Sequence, residues 1–154
     1  MIKIERVLIP VDGSDSSRNA AKYAAHLVNA RNPTLYLLHV SEPVNMTIGG
    51  EMAAELRAKA EVKSMAILEE YKKMLEPCGM EVELISRSGR PDYEILNVQD
   101  ELGCDLIVIG SRGLSVLENV IMGSVVTRVL EGASCPVLVT RNLRVKYLKD
   151  ACGI

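Results

Sequence analysis

The sequence predicts an open α/β sheet covered by helices on both faces, and three observations predict it. Short apolar runs recur along the 154 residues: Val7-Leu8-Ile9-Pro10-Val11, Leu35 to Val40, Val82 to Ile85, Leu106 to Ile109, and Val137 to Val139. Most of these runs are continuous rather than alternating, which suits parallel strands buried on both sides. Helical patterns lie between them, so strand and helix alternate along the chain, the order that builds right-handed crossovers.

Each element has its own signal. The first strand closes on Asp12-Gly13-Ser14, which is turn chemistry. Residues 16 to 30 carry Ala20, Ala21, Ala24, Leu27 and Val28 at helix spacing, with Ser14 or Asp15 as N-cap. After the second strand, residues 41 to 50 form the longest loop, a position where function often concentrates. Residues 51 to 76 predict the longest helix, with Leu56, Ala60, Ile67, Tyr71 and Met74 facing inward. It stops before Pro77 and Gly79. The third strand is followed by a helix over 92 to 102, where Pro91 fits the first turn. The fourth strand ends at Gly110. Residues 124 to 132 then place Val125, Val126, Val129 and Leu130 on one side, and Pro136 introduces the last strand. The reading is one domain over residues 1 to 141 and a tail over 142 to 154, with no internal repeat.

Composition narrows the classes. Hydrophobic residues make up 48% and charged residues 25%, which reads as a soluble globular chain. With no Trp and no Phe, aliphatic side chains must build the core. A net charge of −2 without a basic run argues against a nucleic-acid surface. No apolar run approaches the roughly 18 residues of a membrane span, and the first residues read as a polar-flanked strand rather than a leader. Cysteines at 78, 104, 135 and 152 form no C-x-x-C pair. Free thiols and a cytoplasmic location are the expectation.

In open α/β sheets ligands bind beyond the carboxyl ends of the strands, where the strand order reverses. Two strand ends here carry suitable residues. One is Pro10-Val11-Asp12-Gly13-Ser14. The other is Gly110-Ser111-Arg112-Gly113, followed after nine residues by Gly123-Ser124 at a helix start. Glycines let backbone N–H groups approach a phosphate, and a helix N-terminus adds unpaired donors. Arg112 adds a charge-assisted donor. Each piece also has a purely structural reading: Gly110 as a strand end, Ser115 with Glu118 as a capping box, Ser124 as an N-cap, Asp12 as a turn or helix cap. The order strand, glycine loop, glycine-serine, helix favours the ligand. G-x-G-x-x-G and G-x-x-x-x-G-K-[ST] are absent, His26 and His39 have no metal-ligating partner at the right spacing, and no nucleophile–base pair is visible.

Gly110-x-x-Gly113-x(9)-Gly123-Ser124 resembles the G-2x-G-9x-G-[S/T] motif of the ATP-binding branch of the universal stress protein family. The first strand with Asp12, Leu38-His39-Val40, Gly89-Arg90-Pro91 and Cys135-Pro136-Val137-Leu138-Val139 resemble other parts of that family. The similarity runs over residues 3 to 141. It implies a five-stranded parallel sheet in the order 3-2-1-4-5, of the adenine nucleotide alpha hydrolase-like kind. It further implies that Asp12 with the Pro10-Val11 backbone lies near adenine and ribose and that Val40 bonds adenine. Gly110, Ser111, Arg112, Gly113 and Ser115 would line ribose and phosphates, and Gly123, Ser124 and Val125 would hold the phosphates. Mg²⁺ or Mn²⁺ would bind through the phosphates with no direct protein ligand. Homodimers would form through residues 136 to 140, and the function would be that of a nucleotide-dependent switch or sensor in a stress response, at most weakly hydrolytic. Two alternatives compete. Val11-Asp12-Gly13-Ser14-Asp15-Ser16 resembles the S-G-G-x-D-S loop of ATP pyrophosphatases, with Val11 and Asp12 departing from it. A nucleotide-free interaction dimer is the other.

Overall fold

The computed structural model describes residues 1–45, 47–114 and 121–144. Five strands alternate with four α-helices: β1 (Arg6–Pro10), α1 (Asp15–Val28), β2 (Thr34–Ser41), α2 (Gly50–Leu75), β3 (Val82–Ser88), α3 (Pro91–Leu102), β4 (Leu106–Gly110), α4 (Ser124–Gly132) and β5 (Val137–Thr140). The strands form one sheet in the order β3-β2-β1-β4-β5, and every neighbouring pair is parallel. The order reverses direction at β1. Chain connections leave β1 for β2 on one side and enter β4 on the other, so the carboxyl ends of β1 and β4 diverge around a crevice.

Burial explains the continuous apolar runs. Along β1, Val7 and Ile9 join the core beneath α1 and α2, while Leu8 joins the core beneath α3 and α4. Along β2, Leu35 and Leu37 face the first core and Leu38 the second. Along β4, Leu106 and Val108 divide from Ile107 and Ile109 in the same way. Period-2 alternation is present, but both faces are apolar because both are covered.

The helices keep to their predicted spans within a residue or two, and their buried stripes differ in detail. Ser14 is the N-cap of α1, its hydroxyl accepting from Ser17 N at 3.1 Å. Ala20, Ala21, Ala24 and Val28 are buried as expected, whereas Leu27 is exposed and Ala25 takes its place. In α2 the stripe is Ser64, Leu68, Tyr71 and Leu75, with Ile67 and Met74 half-buried and Leu56 exposed. Length explains the shift. A 26-residue helix runs about 39 Å, while the 8-residue β2 runs about 26 Å. The first half of α2 therefore overhangs the sheet, and there only Ala53 is buried. In α4, Val126 and Val129 are buried, Val125 is half-buried and Leu130 is exposed. Gly123, not Ser124, is the N-cap of α4, with Ser124 as its first residue.

Cys104 and Cys135 are free thiols, and burial pushes the Cys104 thiol up to about 11. Cys78 is disulfide-bonded, which departs from the expectation of free thiols throughout. Among the described residues no helix is long and apolar enough to cross a membrane.

Candidate functional site

The residues singled out from the sequence converge at the carboxyl edge of the sheet. A cavity of about 320 Å³ opens there on the α3/α4 face. Pro10, Val11 and Asp12 enter it from the end of β1, and Val40 from β2. Gly110, Arg112 and Gly113 come from the end of β4, and Gly123, Ser124 and Val125 from the start of α4. Ser111 is not part of this lining. Its side chain is buried beside a second pocket on the α1 side, and its carbonyl accepts from Gly123 N at 2.8 Å. Ser115, and with it the Ser115–Glu118 capping box, lies outside the described residues.

Local chemistry fixes the β1 end. Asp12 Oδ1 accepts from Ser14 N at 2.9 Å and from Ser17 Oγ at 3.0 Å. Its Oδ2 accepts from Leu114 N at 3.2 Å, which ties the turn after β1 to the loop after β4. Asp12 N donates to Ser17 Oγ at 3.3 Å, and Gly13 N donates to the Tyr71 phenol oxygen at 3.1 Å. Gly13 has φ +85°, a backbone state that favours glycine. Arg18 Nη1 clamps the Gly13 carbonyl at 2.6 Å and reaches Glu70 of α2 through Nη2 at 2.9 Å. The N–H groups of residues 12 to 14 are thus all consumed, by the side chains of Ser17, Tyr71 and Asp12.

Tyr71 was legible as a buried helix residue and not as part of this site. Its hydroxyl lies 2.5 Å from Ser17 Oγ. Ser17 must donate to the acceptor-only Asp12 carboxylate, so the phenol donates to Ser17. Burial raises the Tyr71 pKa, against the hydrogen bonds to Ser17 and Gly13. The result is a relay from the Gly13 amide through Tyr71 and Ser17 to Asp12.

The glycines after β4 have contact reasons that the sequence conceals. A Cβ on Gly110 would stand 2.8 Å from the Ser16 backbone and 2.5 Å from its hydroxyl, so Gly110 admits α1. A Cβ on Gly113 would stand 2.7 Å from Asp12 Oδ2. Gly123 N is spent on Ser111 O. Among the described residues the amides of Ser124, Val125 and Val126 have no acceptor, since a helix start provides none within the helix, and all three residues line the crevice.

The floor is apolar. Leu38 and Val40 share one face of β2, and Ile109, Ile95 and Val126 close the space from β4, α3 and α4. Glu42 stands at the mouth, at the start of the loop to α2. A flat apolar body fits such a floor, with its charged end toward the glycine loop and α4. At the start of α3, Asp92 holds Arg90 at 2.8 Å and lies 4.0 Å from Arg128 of α4. Burial alone would raise its pKa, but the Arg90 hydrogen bond and both guanidinium charges bring it below the usual carboxylate value. Among the described residues no group of His, Cys, Asp and Glu side chains is arranged to hold a metal ion.

A doubly wound parallel sheet with an apolar crevice, a glycine loop and a helix start at its switch point defines the open α/β class whose ligands bind beyond the carboxyl ends of the strands. The chain belongs to the universal stress protein family, whose family model matches residues 3–141. It is 34% identical to universal stress protein YxiE of Bacillus subtilis (strain 168), over 88% of this chain and 98% of that protein. Among solved structures it is similar to hypothetical protein MJ0577, also described as a universal stress protein of Methanocaldococcus jannaschii, with a TM-score of 0.84, 29% identity, and coverage of 93% of this chain and 99% of that one. A universal stress protein solved in complex with cAMP matches with a TM-score of 0.68 and 26% identity, over 91% of this chain and 98% of that one.

Proposed function

We propose that this protein binds ATP in the crevice between the ends of β1 and β4 and acts as a nucleotide-dependent switch or sensor in a stress response. The observation that carries this reading is the convergence of Asp12, Val40, the Gly110–Gly113 loop and the α4 amides on one cavity. The residues suit the group. The apolar floor at Leu38, Val40 and Ile109 would take adenine, and the Val40 backbone would bond its edge. Asp12 and the Pro10-Val11 backbone would face adenine and ribose. Ser124 and Val125 would offer amides to phosphates, with Arg112 and Gly113 beside them. Gly110 and Ser111 shape the loop, and Ser115 would join them at the phosphate end. The relative with bound cAMP supports an adenine nucleotide. Mg²⁺ or Mn²⁺ would be held by phosphate oxygens and water.

The consumed amides of residues 12 to 14 count against the pyrophosphatase alternative, because such a loop needs its backbone donors free for phosphate. Among the described residues lining the crevice, the hydroxyl bonded to a carboxylate is Ser17, on Asp12, and that pair is locked into the turn. Any hydrolysis would be slow. The outer edge of β5 faces no strand among the described residues, and pairing of residues 136 to 140 with a second copy would cover it. A cytoplasmic homodimer completes the reading.

The test is mass spectrometry of nucleotide carried through purification, followed by calorimetric titration with ATP and Mg²⁺. Co-purifying adenine nucleotide, or saturable ATP binding lost in Gly123→Val while the fold persists, supports the reading. No binding at millimolar ATP sinks it.

A further inference from the structure

The end of β2 carries a hydrogen-bonding pattern that bears on which base the crevice admits. The ladder between β1 and β2 closes at the Pro10–Leu38 pair, and its last bond runs from Val11 N to Leu38 O at 2.8 Å. Successive residues of a strand turn their N–H and C=O groups to alternate sides. On β2 the odd positions serve β3: Leu35 N donates to Glu81 O, and Ser41 O accepts from Gly89 N. The even positions face β1. Val40 is the first even position after β1 has ended, so its N–H and C=O point together into the crevice that it lines. Among the described residues neither meets a backbone partner there. The carbonyl lies beyond the amide, on the side of Glu42. Leu38 and Val40 pack on the core beneath α3 and α4, and two-residue spacing keeps Glu42 on that face, at the mouth. The lining holds two carboxylates. Asp12 is spent on Ser14 N, Ser17 Oγ and Leu114 N, whereas Glu42 has no hydrogen bond or ion pair among the described residues. Because β2 and β4 flank β1 on opposite sides, Glu42 stands away from the phosphate end at Gly113 and Ser124.

We propose that Glu42 sets the base preference of the crevice, an inference that rests on the ATP-binding reading. It favours a base with an exocyclic amino group beside a ring acceptor, as in adenine, over one with a carbonyl beside a ring N–H, as in hypoxanthine or guanine. Val40 N–H meets the ring acceptor, and Val40 C=O takes one hydrogen of the amino group. The second amino hydrogen is directed along the strand toward Glu42, whose carboxylate accepts it. A keto base brings an oxygen to the same place. That oxygen faces a carbonyl and a carboxylate with no donor between them, so the wrong base is rejected as well as the right one held.

The experiment is calorimetric titration of the wild type, Glu42→Gln and Glu42→Ala with ATP and with inosine triphosphate, which differs from ATP only at that edge of the base. Removing a charge from the mouth alters the attraction for either triphosphate alike, so the ratio of the two Kd values isolates the base edge. Glu42 is exposed, so both variants fold. The wild type should bind ATP about tenfold or more tightly than inosine triphosphate, and the ratio should fall about fivefold in each variant. Glu42→Gln should also gain affinity for inosine triphosphate, because its amide donates to the keto oxygen. A ratio that stays within about twofold of the wild type in both variants, or a wild type that binds the two nucleotides equally, overturns the role of Glu42 and leaves the ATP reading standing. If neither nucleotide binds at millimolar concentration, both fall together.

Discussion

The Asp12 carboxylate occupies the space that a side chain on Gly113 would need, since a Cβ there would stand 2.7 Å from Asp12 Oδ2. The same oxygen accepts from Leu114 N. Glycine at 113 thus lets the two loops close on each other. The obstructing atom is the end of a side chain, so Gly113→Ala should be tolerated by the fold. It should displace Asp12 and cost one hydrogen bond, about 1 kcal/mol. ATP affinity should fall about tenfold. Urea denaturation and calorimetric titration of one preparation would show whether affinity drops with little loss of stability; unchanged affinity would detach Asp12 from the site.

Gly110→Ala should behave in the opposite sense. Its Cβ would meet the Ser16 backbone, which belongs to a helix packed on β4 and cannot rotate away. Such overpacking costs roughly 1–3 kcal/mol. The urea midpoint should drop clearly for this variant and little for Gly113→Ala. Equal midpoints would mean that α1 yields more easily than its packing indicates.

Much of the fold was legible because both faces of the sheet are covered, so strands such as Val7–Ile9 and Leu106–Ile109 read as unbroken apolar runs. The strand order was not in the periodicity. It came only with the resemblance to the universal stress protein family that Gly110, Gly113, Gly123 and Ser124 help to carry. Ten predicted site residues meet in one crevice because they sit at strand ends and a helix start, which sequence signals mark well. The reasons for individual glycines were hidden, because Asp12 and Leu114 are 102 residues apart in the chain. The Tyr71 contact with Gly13 spans 58 residues. Helical periodicity placed Tyr71 inside, and nothing in it says where the phenol oxygen ends. Leu56 was misread because periodicity carries no information on where a helix outruns its sheet.

Tyr71→Phe should loosen the β1 turn without changing core volume appreciably. The phenol hydroxyl serves Gly13 N and Ser17 Oγ together. Its loss leaves a half-buried amide unpaired, a penalty of about 1–3 kcal/mol. Amide hydrogen exchange should speed up at Gly13 and Ser14 while the strands keep their protection. Exchange that rises evenly over the whole sheet would point to a general packing defect instead.

His39 should make stability depend on pH in a predictable direction. Its Nδ1 lies 2.7 Å from Ser64 Oγ, which lies 2.8 Å from Ser86 Oγ, which donates to Glu61 Oε2 at 2.8 Å. The carboxylate is the terminal acceptor, so each hydroxyl donates toward it and Nδ1 carries the proton. Burial lowers the His39 pKa, and the neighbouring Asp12 charge opposes that shift without cancelling it. The unfolded chain, with an ordinary value of about 6.5, then binds the proton more readily than the folded one. Stability from this group is full above the unfolded value and is lost as pH falls through it toward the lower folded value. Urea denaturation across about pH 7.5 to 5 should show a decline in the wild type that His39→Gln flattens. A ¹⁵N spectrum at neutral pH should show the proton on Nδ1. A decline of equal slope in the variant would assign the pH dependence to other groups, and a proton on Nε2 would break the chain of donors from Nδ1 to Glu61.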